Sequence, residues 1–157
     1  AEPENYEARA NLMWASSLAL NHILTVGKGG AWSCHPIEHE LSAYYDITHG
    51  EGLAIVTPAW MKAVLCDTTV ERFAMFGKNV WGITEGTPFE IAKKAIGKTA
   101  EFFRDLGLPS TLQEVGIDSE KFEEMAEEAV RTSGISTRSY CHLNKDDIVK
   151  IYESCAK

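Results

Sequence analysis

The chain is poor in cysteine, short of basic residues and without a long apolar run. Its four cysteines, Cys34, Cys66, Cys141 and Cys155, form no CxxC pair. That spacing excludes a zinc knuckle and a dense disulfide scaffold. It fits free thiols in a reducing cytosol, so a cytoplasmic location is expected. Fifteen Lys and Arg stand against 23 Asp and Glu, for a net charge of −8. A chain of that sign gains nothing from counterion release, and no Lys/Arg run offers a local groove, which argues against a nucleic-acid partner. No apolar stretch reaches the roughly 18 residues needed to span a bilayer, and no cationic-then-apolar leader is present, so no membrane partner is expected. Strand-type alternation, fixed-period repeats and low-complexity segments are also missing.

What is present is a globular composition: 157 residues, 45% apolar and 24% charged. One domain over residues 1–157 suits that length, and it can bury about two-thirds of its unfolded surface without a disulfide or structural metal. The pattern predicts six or seven helices joined by short loops, hence an all-α fold. Tyr6 to Leu24 reads as a helix whose wide apolar face implies burial on more than one side. A second helix starts near Cys34 or His35, since Pro36 is tolerable only in a first turn. Asp46 to Gly50 reads as a break. Gly52 to Leu65 is strand or helix, its Ala, Trp and Met content favouring helix with a kink at Pro58. Thr69 to Trp81 recurs at helical spacing. Thr87-Pro88-Phe89-Glu90 is an N-cap, a first-turn proline and a capping box, opening a helix that stops at Gly107-Leu108-Pro109. Asp118 to Lys121 opens another that ends before Gly134, and Asn144 caps the last. Gly27 to Gly30 reads as a connection.

Three of the five histidines crowd into one segment, Cys34-His35-Pro-Ile-Glu38-His39 through Tyr45-Asp46-Ile-Thr-His49-Gly50. His35 and His39 are four residues apart and share one helical face. A turn before His49 can fold its ring back beside them. Neutral imidazole is a common ligand of zinc, iron and nickel. From spacing alone the pair is either a surface feature or part of a metal site. His35-Pro-Ile-Glu38-His39 also meets the inverted HxxEH zinc-peptidase pattern, in which Glu38 is the base. A zinc hydrolase is therefore one alternative function, and a non-catalytic helical interaction domain another. His22 reads as a packing or hydrogen-bonding histidine in a buried helix, His142 beside Cys141 lacks the third group of a nucleophilic site, and Cys34 reads as an inert thiol. Trp32, Tyr44 and Trp60 read as core before pocket lining. The glutamates from Glu120 to Glu128 read as a solvated helix face, and Thr132 to His142 as a loop able to approach the histidines.

The whole segment resembles the metal-binding stretch of the iron-containing alcohol dehydrogenases, in their butanol dehydrogenase and aldehyde reductase branch. In that family a histidine is followed after four residues by a second and after ten more by a third, with Gly or Ala next. His35, His39 and His49 fit. Gly52-Leu-Ala-Ile-Val-Thr-Pro58 is similar to the following helix. Glu2 to Tyr6, Arg9 to Ala15, Ala74 to Gly86 and Leu143 to Ile148 extend the likeness over nearly the whole chain.

The resemblance implies a C-terminal helical metal-binding domain, with His35 and His49 as ligands of a divalent iron or zinc ion. His39 would lie between the metal and the nicotinamide of NAD(P), assisting proton transfer, and Glu38 would lose its catalytic role. The family's other two ligands, an Asp and a His in Asp-xxx-His spacing, have no counterpart ahead of Asp46, the first Asp of the chain. Its glycine-rich pyrophosphate loop in an N-terminal α/β domain has none either. The expectation is thus a C-terminal piece of a longer enzyme, with Ala1 an internal boundary. The parent would transfer hydride between NAD(P)H and an aldehyde or primary alcohol such as butanal and butanol. The piece alone would be folded, inactive, weak or lacking in metal, and prone to homo-oligomerise through apolar surface meant for its missing N-terminal domain.

Overall fold

The computed structural model describes residues 2–27 and 30–157. Ala1, and Lys28 and Gly29 of the expected Gly27–Gly30 connection, lie outside the described residues. Two compact units are distinguished, 1–30 and 31–157.

The first unit holds helix α1 (Tyr6–Leu20) and a 3-10 turn (Ile23–Thr25). Asn5 caps α1 by accepting a hydrogen bond from the Ala8 amide at 3.0 Å. Correcting the sequence reading, the helix ends four residues before Leu24, and none of its residues is buried. Leu12, Met13 and Trp14 are each at least 66% exposed. His22 is also corrected: it is an exposed residue of left-handed backbone just past the helix, with no core to pack in.

The second unit holds six helices: α2 (Cys34–Tyr45), α3 (His49–Ala63), α4 (Val70–Trp81), α5 (Pro88–Asp105), α6 (Phe122–Thr132) and α7 (Lys145–Ser154). No strand occurs among the described residues, only one isolated bridge between Ala31 and Ser139. The fold is all-α. The strand alternative for Gly52–Leu65 is settled as helix, and α3 runs through Pro58, which is itself buried. Thr87 with Glu90, and Asn144 with Asp147, form the reciprocal capping boxes that open α5 and α7.

Helix α2 packs on α3 and α6, α7 on α3 and α6, and α5 on α3 and α4. Ile37 and Leu41 of α2 meet Ile55 and Val56 of α3, Phe122 and Met125 of α6, and Ile148, Ile151 and Tyr152 of α7 in one core. The Tyr152 hydroxyl donates to the Ile37 carbonyl at 2.6 Å, which ties α7 to the first turns of α2. Gly77 lets α4 approach α5: a Cβ there would lie 2.7 Å from Ile91 Cγ2. Trp60 packs against Phe73 on the core edge, and Tyr44 joins the same core. On α6, Glu124 pairs with Lys121, Glu128 with Arg131 and Glu123 with Lys145, so that acidic face is solvated surface. No helix among the described residues is long and apolar enough to cross a membrane.

Candidate metal centre

The site is built at the junction of α2 and α3. Pro36 sits in the first turn of α2, where its missing N–H has no intrahelical acceptor to lose. The helix stops at Asp46, which adopts left-handed backbone (φ 55°) while its amide bonds the Ser42 carbonyl. The chain turns within Asp46, Ile47 and Thr48 and enters α3 at His49. The expected break is therefore shorter than Asp46–Gly50: His49 and Gly50 are the first residues of α3. Two glycines in the first turn of α3 leave little intrinsic helix preference, which is why the segment read as a loop. Packing against α2 overrides it.

This turn brings the three imidazoles together. The ring centroids of His35 and His49 are 5.3 Å apart, those of His39 and His49 5.4 Å, and those of His35 and His39 6.0 Å. Two imidazoles bound to one tetrahedral ion have centroids roughly 5 Å apart, so the spacing suits a shared cation. The donor atoms that lie closest together, all within 4.8 Å of one another, belong to Glu38, His39 and His49. His35 joins the cluster through its ring but is outside that tightest donor group. It is half-buried, with Trp32 edge-on at 4.0 Å. Burial first, and then the neighbouring charges of His49 and His39, push the His35 pKa down to about 4. His35 is thus neutral at pH 7 with a lone pair free to ligate. Three crowded imidazoles repel one another when protonated and are drawn together by a cation, so this donor set fits a divalent metal.

Glu38 is the feature that sequence reasoning set aside. It is wholly buried. Its Oε1 accepts from Ser42 Oγ at 2.5 Å, and its Oε2 lies against His49 Nδ1 without a hydrogen-bond partner. An inverted zinc-peptidase base needs an oxygen facing a water, and this carboxylate is buried at 0% exposure. It is seated by Ser42, four residues on along the same face, and by Gly52, three residues after His49. Cys34 is raised to about 11 by burial, against a weaker opposing hydrogen bond from Thr57, which keeps the thiol protonated. The loop before α7 comes up beside α2, since Ser139 pairs with Ala31, four residues ahead of His35. His142 is exposed and belongs to no metal-competent group among the described residues.

Residues 1–156 match the family model described as "Fe-containing alcohol dehydrogenase family, C-terminal". NADH-dependent butanol dehydrogenase A of Clostridium acetobutylicum is 56% identical over 151 residues, 96% of this chain and 39% of that protein. The NADPH-dependent aldehyde reductase YqhD of Escherichia coli is 42% identical over 118 residues, 74% of this chain and 30% of that protein. The crystal structure of NADH-dependent butanol dehydrogenase A from Thermotoga maritima superposes with a TM-score of 0.85 at 37% identity, covering 99% of this chain and 40% of that one. The chain spans about two-fifths of the length of the curated butanol dehydrogenases it matches.

Proposed function

Since the chain belongs to the iron-containing alcohol dehydrogenase family, through its C-terminal part, we propose that it is the helical metal-binding domain of an oxidoreductase. The reaction is reversible hydride transfer between NAD(P)H and an aldehyde, giving a primary alcohol, with butanal and butanol as representative substrates. The observation that carries this reading is the convergence of His35, His39 and His49 across one tight turn. The residues that would hold the metal are His35 and His49, and the ion would supply Lewis-acid polarisation of the carbonyl oxygen. His35 contributes because burial keeps it neutral. His39, exposed on the same face of α2, faces solvent on one side and His49 on the other. That position suits passage of a proton between bound alcohol and water beside the nicotinamide. The remaining two ligands, Asp and His, and the glycine-rich pyrophosphate loop are assigned to the part of the relatives' length that this chain does not span. The chain alone is expected to be inactive and to self-associate, with the apolar residues of α1 contributing.

A chimera tests this directly. This chain replaces the matching part of the Clostridium acetobutylicum enzyme. NADH-dependent reduction of butanal is expected, with one bound divalent metal per subunit. His35→Ala and His49→Ala should each remove the metal and lower turnover at least about a hundredfold. His39→Ala should keep the metal and lower kcat. A folded chimera that loses its metal with His39→Ala but keeps it with His35→Ala contradicts the ligand assignment.

A further inference from the structure

The histidine cluster rests on a carboxylate that is both fully buried and short of hydrogen-bond donors. A buried carboxylate is costly unless its oxygens are engaged. Glu38 is 0% exposed; Oε1 accepts one hydrogen bond, from Ser42 Oγ at 2.5 Å, and Oε2 has no hydrogen-bond partner but lies in ion-pair contact with His49 Nδ1. Ser42 Oγ also lies 3.2 Å from the Ile47 carbonyl, so the same hydroxyl touches both the carboxylate and the turn leading to His49.

The opposite wall of this seat is Gly52. A Cβ at that position would lie 2.6 Å from Glu38 Cγ and 2.7 Å from Oε1. Both contacts are closer than real Cβ atoms allow, so only glycine leaves the carboxylate where it is. Gly52 and His49 stand three residues apart on one face of α3. The face that presents the histidine therefore also makes room for its carboxylate partner.

Imidazole has two distinct nitrogens, and a carboxylate on one fixes the role of the other. A carboxylate oxygen against Nδ1 favours the tautomer with its proton on Nδ1 and its lone pair on Nε2. We propose that Glu38 is a positioning residue: through Nδ1–H it fixes the tautomer and ring orientation of His49, turning Nε2 toward the bound ion. The role rests on His49 being a metal ligand, as in the function proposed above. It differs from direct ligation by Glu38, because an ion on Oε2 would have to displace the ring already there.

The test uses the 157-residue chain, labelled with 15N in its histidines. Ring-nitrogen shifts of metal-free protein at pH 8 report the His49 tautomer. Wild type should show His49 as the Nδ1–H form. Glu38→Gln, which keeps shape and fold but removes the charge, should shift it toward Nε2–H, and Gly52→Ala, which pushes an intact carboxylate away, should do the same. Helix content by circular dichroism should match wild type for Glu38→Gln. Zinc affinity should fall ten- to a hundredfold in both variants, and the visible spectrum of the cobalt-loaded form should keep its band positions. An unchanged tautomer in both variants overturns the proposal. A changed cobalt spectrum in Glu38→Gln also overturns it, by making Glu38 a ligand. Zinc affinity indifferent to His35→Ala and His49→Ala overturns the metal reading instead, while the metal-free tautomer still decides the role of Glu38.

Discussion

Helices α1 and α3 are both 15 residues long, and both carry apolar side chains around most of their circumference. Their environments are opposite. α3 buries Gly52, Ala54, Ile55, Val56, Pro58, Ala59 and Met61, while α1 buries nothing. A helix that is apolar all round is a helix meant to be covered. In α3 the cover is α2, α5 and α7 of the same unit. For α1 the sequence registers the need for cover without saying what supplies it. An isolated helix of this length is marginal in water, so the two helices should differ sharply in what a substitution costs.

The largest contrast is expected from leucine truncation. Leu41→Ala empties a fully buried site and should cost about 2–5 kcal/mol. Leu12→Ala, at a side chain 73% exposed, should stay within about 0.5 kcal/mol. Urea unfolding followed by circular dichroism measures both, and equal effects would erase the distinction between the units. The second contrast is with alkali. Burial raises Cys155 from 9.0 to about 12 and pushes the Tyr152 hydroxyl above its ordinary range. The unfolded chain therefore loses these protons first. Stability from this core should be full below pH 9 and fall steadily as pH rises toward 12, as thermal unfolding across that window would show. Stability that rises there would contradict the burial of both groups.

A smaller effect should come from Tyr152→Phe, which removes the bond to the Ile37 carbonyl. The expected loss is about 1 kcal/mol, read by urea unfolding. Trp14→Glu on α1 should leave the unfolding midpoint of the second unit unchanged and weaken self-association, measured by sedimentation velocity. Undiminished association would remove α1 from that surface.

The fold was legible where local chemistry is strong. Thr87 with Glu90, and Asn144 ahead of Asp147, marked helix starts that the structure reproduces. It was less legible where packing decides: His49 and Gly50 look like the end of a break, yet they open α3, which packs on α2. The histidines were legible because the motif lies within fifteen residues. Glu38 was not. Its role depends on the turn at Asp46 returning His49 over α2, and no local spacing reports that Gly52, in the next helix, leaves it room.

Whether the histidines share one ion is answered by paramagnetic broadening of the 157-residue chain. Manganese(II) or cobalt(II) is added in small steps while the imidazole proton signals are followed. Selective broadening of His35 and His49 together is the expected result, with His49 broadening lost in His35→Ala and His35 broadening lost in His49→Ala. Signals of His35 and His49 that broaden no more than those of His142, or that respond at different metal concentrations, would mean the two rings do not bind a common ion.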